Sequence, residues 1–197
     1  MTLRRVPLMI FAFVLAMFAA DADPAIAARD QADVAALHSL IAQATTDARQ
    51  KNSAEAYERV AQLNLWLCEA GHVNNDSKVV KQGAQDGIAA AEKAVSLNPN
   101  SSEAHRLNGD LTGELIGVVF MGGMRHGKHA GDELDKALQL DPKNAEAYVG
   151  RAHIWLAQVY QSQGKHDEAQ REINEALRID PERRFAKDVM ANAEKSK

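Results

Sequence analysis

The segment Gly122-x-x-x-x-Gly127-Lys128 has the glycine and lysine spacing of a loop that cradles phosphate. In such a loop backbone N–H groups hold the phosphate oxygens, the lysine neutralises charge, and a following Ser or Thr holds magnesium. Here His129 follows the lysine and no strand-like run precedes the glycines, so nucleotide binding is not expected. His126 and His129, three apart on a helix, could share a metal ion, but a closed site needs further ligands. His105 and Asp132 are the candidates, and with Arg125 and Lys128 beside them the histidines read better as a solvated rim. No metal and no other cofactor is expected. The chain carries no Gly-x-Ser-x-Gly, His-Glu-x-x-His or Cys-x-x-Cys motif. Its charges alternate along helical stretches such as Lys165 to Glu175, the pattern of a solvated face. The expectation is a protein without catalytic residues, not an enzyme.

The binding candidates lie in and around an unusual glycine-rich stretch. Gly109, Gly113 and Gly117 recur every four residues, and Gly127 and Gly131 continue that spacing from Gly123. Between them runs Val118-Val119-Phe120-Met121-Gly122-Gly123-Met124. Each glycine inside a helix costs about 1 kcal/mol relative to alanine, so this density needs a reason. One reason is close packing of helix backbones. The other is room for a ligand or a neighbouring subunit, lined by Val118, Phe120, Met121 and Met124 with His105, Gly113 and Gly117 nearby. Tyr148, Arg151 and Trp155 complete the set of partner- or ligand-binding candidates, as residues on the face of a first helix.

The elements that position these residues are helices throughout. Apolar residues recur at helical spacing from Asp30 onward, and no segment shows period-two alternation. Val34, Leu37, Leu40, Ile41 and Ala44 mark one face of a first helix. Ser53 caps a second, which buries Tyr57, Val60, Ala61 and Leu67. Gly71 to Ser77 reads as the clearest loop. Helices are expected at about 78–97, 101–120, 127–140, 145–163, 165–179 and 182–195. Three of them end alike: Ala94-Val95-Ser96-Leu97-Asn98-Pro99, Ala137-Leu138-Gln139-Leu140-Asp141-Pro142 and Ala176-Leu177-Arg178-Ile179-Asp180-Pro181. Twelve residues before each proline stands a small residue (Gly87, Ala130, Ala169), and eight before it an apolar one (Ala91, Leu134, Ile173). This is the arrangement of the tetratricopeptide motif, in which small residues let two helices of a hairpin pack closely. The last unit keeps the earlier half as well, in Leu156-Ala157, Tyr160 and Gly164, with His153 where the motif prefers Trp. Trp155, two residues on, points roughly 200° away and cannot replace it. The prolines lie 43 and 39 residues apart, against about 34 for the standard repeat. The fold expected is all-α: tetratricopeptide-like helical hairpins forming an α-solenoid, with lengthened first helices or turns.

Ahead of this lies a secretory signal. Arg4 and Arg5 precede the apolar run Val6 to Ala20, and two small-x-small sites follow, Ala20-Asp21-Ala22 and Ala25-Ile26-Ala27. The run is short for a bilayer span, which needs about 20 apolar residues. The expectation is export to the periplasm with cleavage after about Ala27, leaving residues 28–197 as one repeat domain; the membrane would be touched only through an uncleaved signal segment. The net charge of −4 comes without a basic cluster, which argues against nucleic acid and anionic lipid as partners. Cys68 is the only cysteine, so an internal disulfide is excluded. It reads as a small buried hydrophobe near a helix end, with an intermolecular disulfide as the alternative.

Residues 53–181 resemble the periplasmic T-component of tripartite ATP-independent transporters. The segments that carry the likeness are Tyr57-Glu58-Arg59 with Leu65-Trp66, Gly87 to Val95, Glu103-Ala104-His105, and Glu133 to Pro142. The family's members are typically lipoproteins, and this chain has no cysteine at the position that would be acylated. The resemblance implies a helical envelope protein that forms homo-oligomers beside a solute-binding protein. The functional expectation is an exported adaptor that holds another envelope protein and is linked to solute transport. The alternative is an oligomeric carrier with a small apolar ligand in the Gly- and Met-rich stretch.

Overall fold

The computed structural model describes residues 23–119 and 122–151, with single positions at 171, 174, 175, 178 and 179. Helix α1 spans Pro24–Asp30, α2 Val34–Lys51, α3 Ala54–Val73, α4 Ser77–Leu97, α5 Ser102–Val118 and α6 Gly122–Leu140. Residues 145–151 are helical as well. No strand occurs among the described residues, and none of their helices is long and apolar enough to cross a membrane.

Side-chain caps set the starts of these helices. Ser53 Oγ accepts from the Ala56 amide at 3.3 Å, Ser101 Oγ from Ala104 at 3.1 Å, and Asn144 Oδ1 from Ala147 at 3.1 Å. Asp76 accepts from the amides of both Lys78 and Val79. Each such bond satisfies an amide that a helix N-terminus leaves without a partner.

The Asn/Asp-Pro signature does the same work at two helix ends. The Asn98 amide donates to the Ala94 carbonyl and the Asp141 amide to the Ala137 carbonyl, both at 2.8 Å. The Asn98 and Asp141 side chains then accept from the amides two residues on, Asn100 at 3.1 Å and Lys143 at 2.9 Å. A proline cannot extend the helix, and the Asx side chain replaces the lost backbone partner. The third copy, at Asp180-Pro181, lies outside the described residues, as do Trp155 and most of the expected helices past Arg151.

Short connections join α3 to α4 and α5 to α6, so each pair is an antiparallel hairpin, and the two hairpins stack. This is the tetratricopeptide-like arrangement. The lengthening extends to the second helices: α5 has 17 residues and its partner α6 has 19, beginning at Gly122 where the sequence suggested 127. The loop expected at Gly71–Ser77 is also shorter, because α3 continues to Val73. Gly71 belongs to that helix because its face lies against Val80, where an added Cβ would stand 2.8 Å from Cγ2.

First helices touch across the stack, α3 against α5, whereas the second helices α4 and α6 do not touch each other. The stack therefore bends toward its first-helix side. One core cluster joins Val60, Ala61, Leu65 and Cys68 to Ala84, Ala91, Leu107, Leu111 and Leu115; a second joins Ile116 to Ala130, Leu134, Ala137 and Ala147. Ala91, Ala94, Leu134 and Ala137, the signature positions, are fully buried.

Helix α1 is docked on this body. Ala25 and Ala28 are buried, and Asp23, which caps the helix, pairs with Arg59 of α3.

The glycines divide by what surrounds them. A Cβ on Gly109 would lie 2.5 Å from Leu134 Cγ and 3.0 Å from the Ala130 carbonyl oxygen, so this glycine lets α5 and α6 meet. Gly131 has nothing within 4 Å. Gly109→Ala should therefore lower the melting temperature by several degrees, since overpacking costs about 1–3 kcal/mol. Gly131→Ala should raise it by a few degrees, from about 1 kcal/mol of helix propensity. Thermal denaturation followed by circular dichroism checks both, and equal shifts of one sign would remove the distinction.

Candidate functional site

The first helices bring together charged side chains that the sequence scatters. In α5, Glu103, Arg106, Asp110 and Glu114 fall on one face through steps of three and four residues. Arg106 is only 3% exposed and is the centre of the group. Its guanidinium donates to Glu103 at 2.8 Å through Nε, to Asp110 at 2.6 Å through Nη1, and to Gln62 of α3 at 2.9 Å through Nη2. A planar fork with five donors serves three acceptors at fixed angles, a geometry the single nitrogen of lysine does not offer. Burial works against the charge on Arg106, but the hydrogen bonds it donates to Glu103 and the attraction of Asp110 outweigh it and raise its pKa. Ser101 adds a second crossing between the pairs, by donating to Glu58 of α3.

The band opens to solvent at its other end. His72 of α3 contacts Glu114 of α5 through Nε2 at 2.6 Å, and the His72 side chain is about half exposed. The Glu114 hydrogen bond, opposed by partial burial, raises the His72 pKa. Glu69, one turn back in α3, faces the same group. Burial and then repulsion from Glu114 push its pKa up to about 7, against the pull of Arg29, Arg106 and His72. Burial pushes Asp110 up as well, with Arg106 pulling it back. Asp110 also lies against the next first helix, where a Cβ on Gly150 would fall on its Oδ1.

Of the residues singled out in the sequence, Tyr148 and Arg151 sit together on that next helix. The Arg151 guanidinium lies 5.7 Å from the Tyr148 ring centroid and donates to Asp135 of α6 at 2.7 Å. His105 is 7% exposed and turned inward: Nδ1 lies 2.6 Å from Glu133 of α6, and Nε2 donates to the Pro99 carbonyl at 3.1 Å. Both ring nitrogens are thus engaged inside the protein, tying the turn after α4 to α6. Gly113 and Gly117 lie along α5, and Gly117 has nothing within 4 Å. Phe120, Met121 and Trp155 lie outside the described residues, and Met124 is described only as backbone in the first turns of α6.

The phosphate-loop spacing at Gly122–Lys128 falls inside α6, and a continuous helix has no loop with which to cradle phosphate. His129 comes no closer than 4.0 Å to Glu133, and no group of three metal-ligating side chains occurs among the described residues. An open groove of about 410 Å³ lies between α2 and α3, with Leu40, Ala44 and Leu63 among its apolar lining and Asp47, Lys51, Glu55 and Arg59 among its polar lining. None of the glycine-stretch residues lines it. Cys68 is fully buried, with its thiol donating to the Val80 carbonyl and its pKa pushed up by burial, so it packs between α3 and α4 and is closed to an intermolecular disulfide.

The sequence did not single out Gln62, Glu69, His72, Arg106, Asp110 or Glu114, and it marked Glu103 only within the segment Glu103-Ala104-His105. The spacing of the α5 charges at steps of three and four residues was a readable signal. The α3 members carried none, because their role depends on which helix lies across from them.

A tetratricopeptide-repeat family model matches residues 128–193, the region from the body of α6 through the third signature. Among solved structures, the tetratricopeptide domain of Arabidopsis OM64 is similar, at 17% identity and a TM-score of 0.45 over 71% of this chain and 98% of that one. YrrB, described as a tetratricopeptide protein with an unusual peptide-binding site, is similar at 16% identity and a TM-score of 0.42, over 82% and 76%. No curated protein sequence matches the chain.

Two predictions follow from the electrostatics. Glu69 has a folded-state pKa of about 7, above its ordinary 4.5, so the folded protein binds more protons between those values. The stability this contributes is fully present below the unfolded value and is lost as pH rises through about 7; His72, also raised, acts in the same direction. The melting temperature should be higher at pH 5.5 than at pH 8, and Glu69→Gln should reduce that difference by raising the pH 8 value, while Asp110, also pushed up to about 7 by burial, keeps the remainder. An unchanged difference in the variant would exclude Glu69 as its source. Arg106→Met should cost about 3 kcal/mol, measured by urea denaturation, because it leaves Asp110 buried without its counter-charge.

Proposed function

We propose that the protein is a non-enzymatic adaptor of the cell envelope, exported to the periplasm, that holds another protein on its first-helix face. The carrying observation is the packing of α3 against α5 and of α5 against the helix at 145–151, where Gly150 meets Asp110 and which also carries the Tyr148–Arg151 pair. Stacked repeats that bend toward one set of helices offer that side as an extended surface, and aromatic and arginine side chains are the usual anchors of such contacts. The basic, apolar and small-residue start of the chain supports export. The likeness of residues 53–181 to the transporter T-component supports a place beside a solute-binding protein, and an oligomeric assembly.

Crosslinking in intact cells identifies the bound protein, and titration of the purified pair gives its affinity. Tyr148→Ala and Arg151→Glu should each weaken the complex about tenfold, roughly 1.4 kcal/mol. Lys81→Glu on exposed α4 should leave it unchanged. Full binding by both first-helix variants would overturn the surface assignment. A retained small molecule in native mass spectrometry, with no bound protein, would favour a ligand carrier instead.

A further inference from the structure

The export reading leaves two small-x-small sites for signal peptidase, after Ala22 and after Ala27. The enzyme meets both on an extended chain, but the fold treats them differently. Residues 23–27 already belong to the domain. Asp23 caps α1 through the Ala25 amide at 3.0 Å, its carbonyl accepts from Ile26 at 2.9 Å, and its other carboxylate oxygen pairs with Arg59 of α3. Ala25 is fully buried. At the far end of the same helix, Arg29 lies 5.2 Å from the Trp66 ring centroid, and the Ala28 carbonyl accepts from Asp33 at 2.9 Å. Ala32, just past it, accepts from Asn74 Nδ2 at 3.1 Å, which ties the α1–α2 turn to the end of α3.

A cut after Ala27 removes the cap, the ion pair, the buried Ala25 and most of α1, whose seven residues end at Asp30. Three helical residues cannot hold a helix, since its first turn is the costly step. A cut after Ala22 keeps every one of these contacts and leaves Asp23 to cap the helix from the new terminus.

Resting on the export reading, we propose that the processing site is the Ala22–Asp23 peptide bond, so that the mature protein begins at Asp23. Hydrolysis consumes one water and leaves a carboxylate on Ala22 and an ammonium group on Asp23. The mature charge balance then keeps Asp23 as the partner of Arg59.

The test expresses the full precursor, fractionates the cells and reads the amino terminus by intact mass and N-terminal sequencing. The expected terminus is Asp23-Pro24-Ala25-Ile26-Ala27. A terminus at Ala28 would overturn the site while leaving export intact. An uncut chain found in the cytoplasm would overturn export itself, and this site with it. Two precursor variants separate the motifs further. Ala27 is exposed on α1, so Ala27→Leu should fold and be processed as before. Ala22→Leu should block the cut or move it by five residues. Normal processing of Ala22→Leu together with loss of processing in Ala27→Leu would refute the proposal.

Discussion

Close approach of helix backbones is the constraint on which the rest of this structure depends. At Gly87 an added Cβ would fall 2.6 Å from Leu111 and 2.9 Å from Asn64, and at Gly109 it would fall against Leu134 and the Ala130 carbonyl. Without side chains at these points, long helices pack at short distance and the leucines opposite fill the space. Ala91, Ala94, Ala130 and Ala137 extend the same economy of volume through both hairpins.

Such closeness has an electrostatic consequence. Once α3 and α5 lie side by side, polar groups on their facing edges are taken out of water and must find partners among themselves. Arg106 meets this requirement by serving Glu103, Asp110 and Gln62 together, and Ser101 meets it with Glu58. Negative charge remains in excess. Burial first, and then repulsion from Glu114, makes Glu69 hold its proton to about pH 7, and the hydrogen bond with Glu114 makes His72 hold its own to higher pH than usual. Removing one partner from such a network is destabilising, because it leaves a buried charge unpaired.

The added length of each repeat has a use within this scheme. Helix α6 begins at Gly122, so the charged segment Lys128 to Asp135 rides on a regular helix, where Glu133 reaches His105 and Asp135 reaches Arg151. The glycine stretch is therefore not one feature. Gly109 is a contact point between helices, whereas Gly117 and Gly131 have open space beside them.

By itself, the sequence determined the helical class and the repeat, because those rest on local chemistry. An Asx-Pro pair ends a helix, Ser53 starts one, and a small residue twelve positions before proline marks a crossing, whatever lies elsewhere in the chain. The interior place of the signature alanines was legible for the same reason. The tertiary structure alone decided which side chains meet. His105 carried no sign that Glu133 and Pro99 would take both its nitrogens, and Gly71 looked like a loop residue until Val80 was placed against it. The Glu69–His72–Glu114 group, in which Glu114 lies 42 residues beyond His72, was likewise invisible. Side-chain partnerships across a stack depend on helix register and separation, and these are set by the sum of packing over the whole body rather than by any stretch of residues within it.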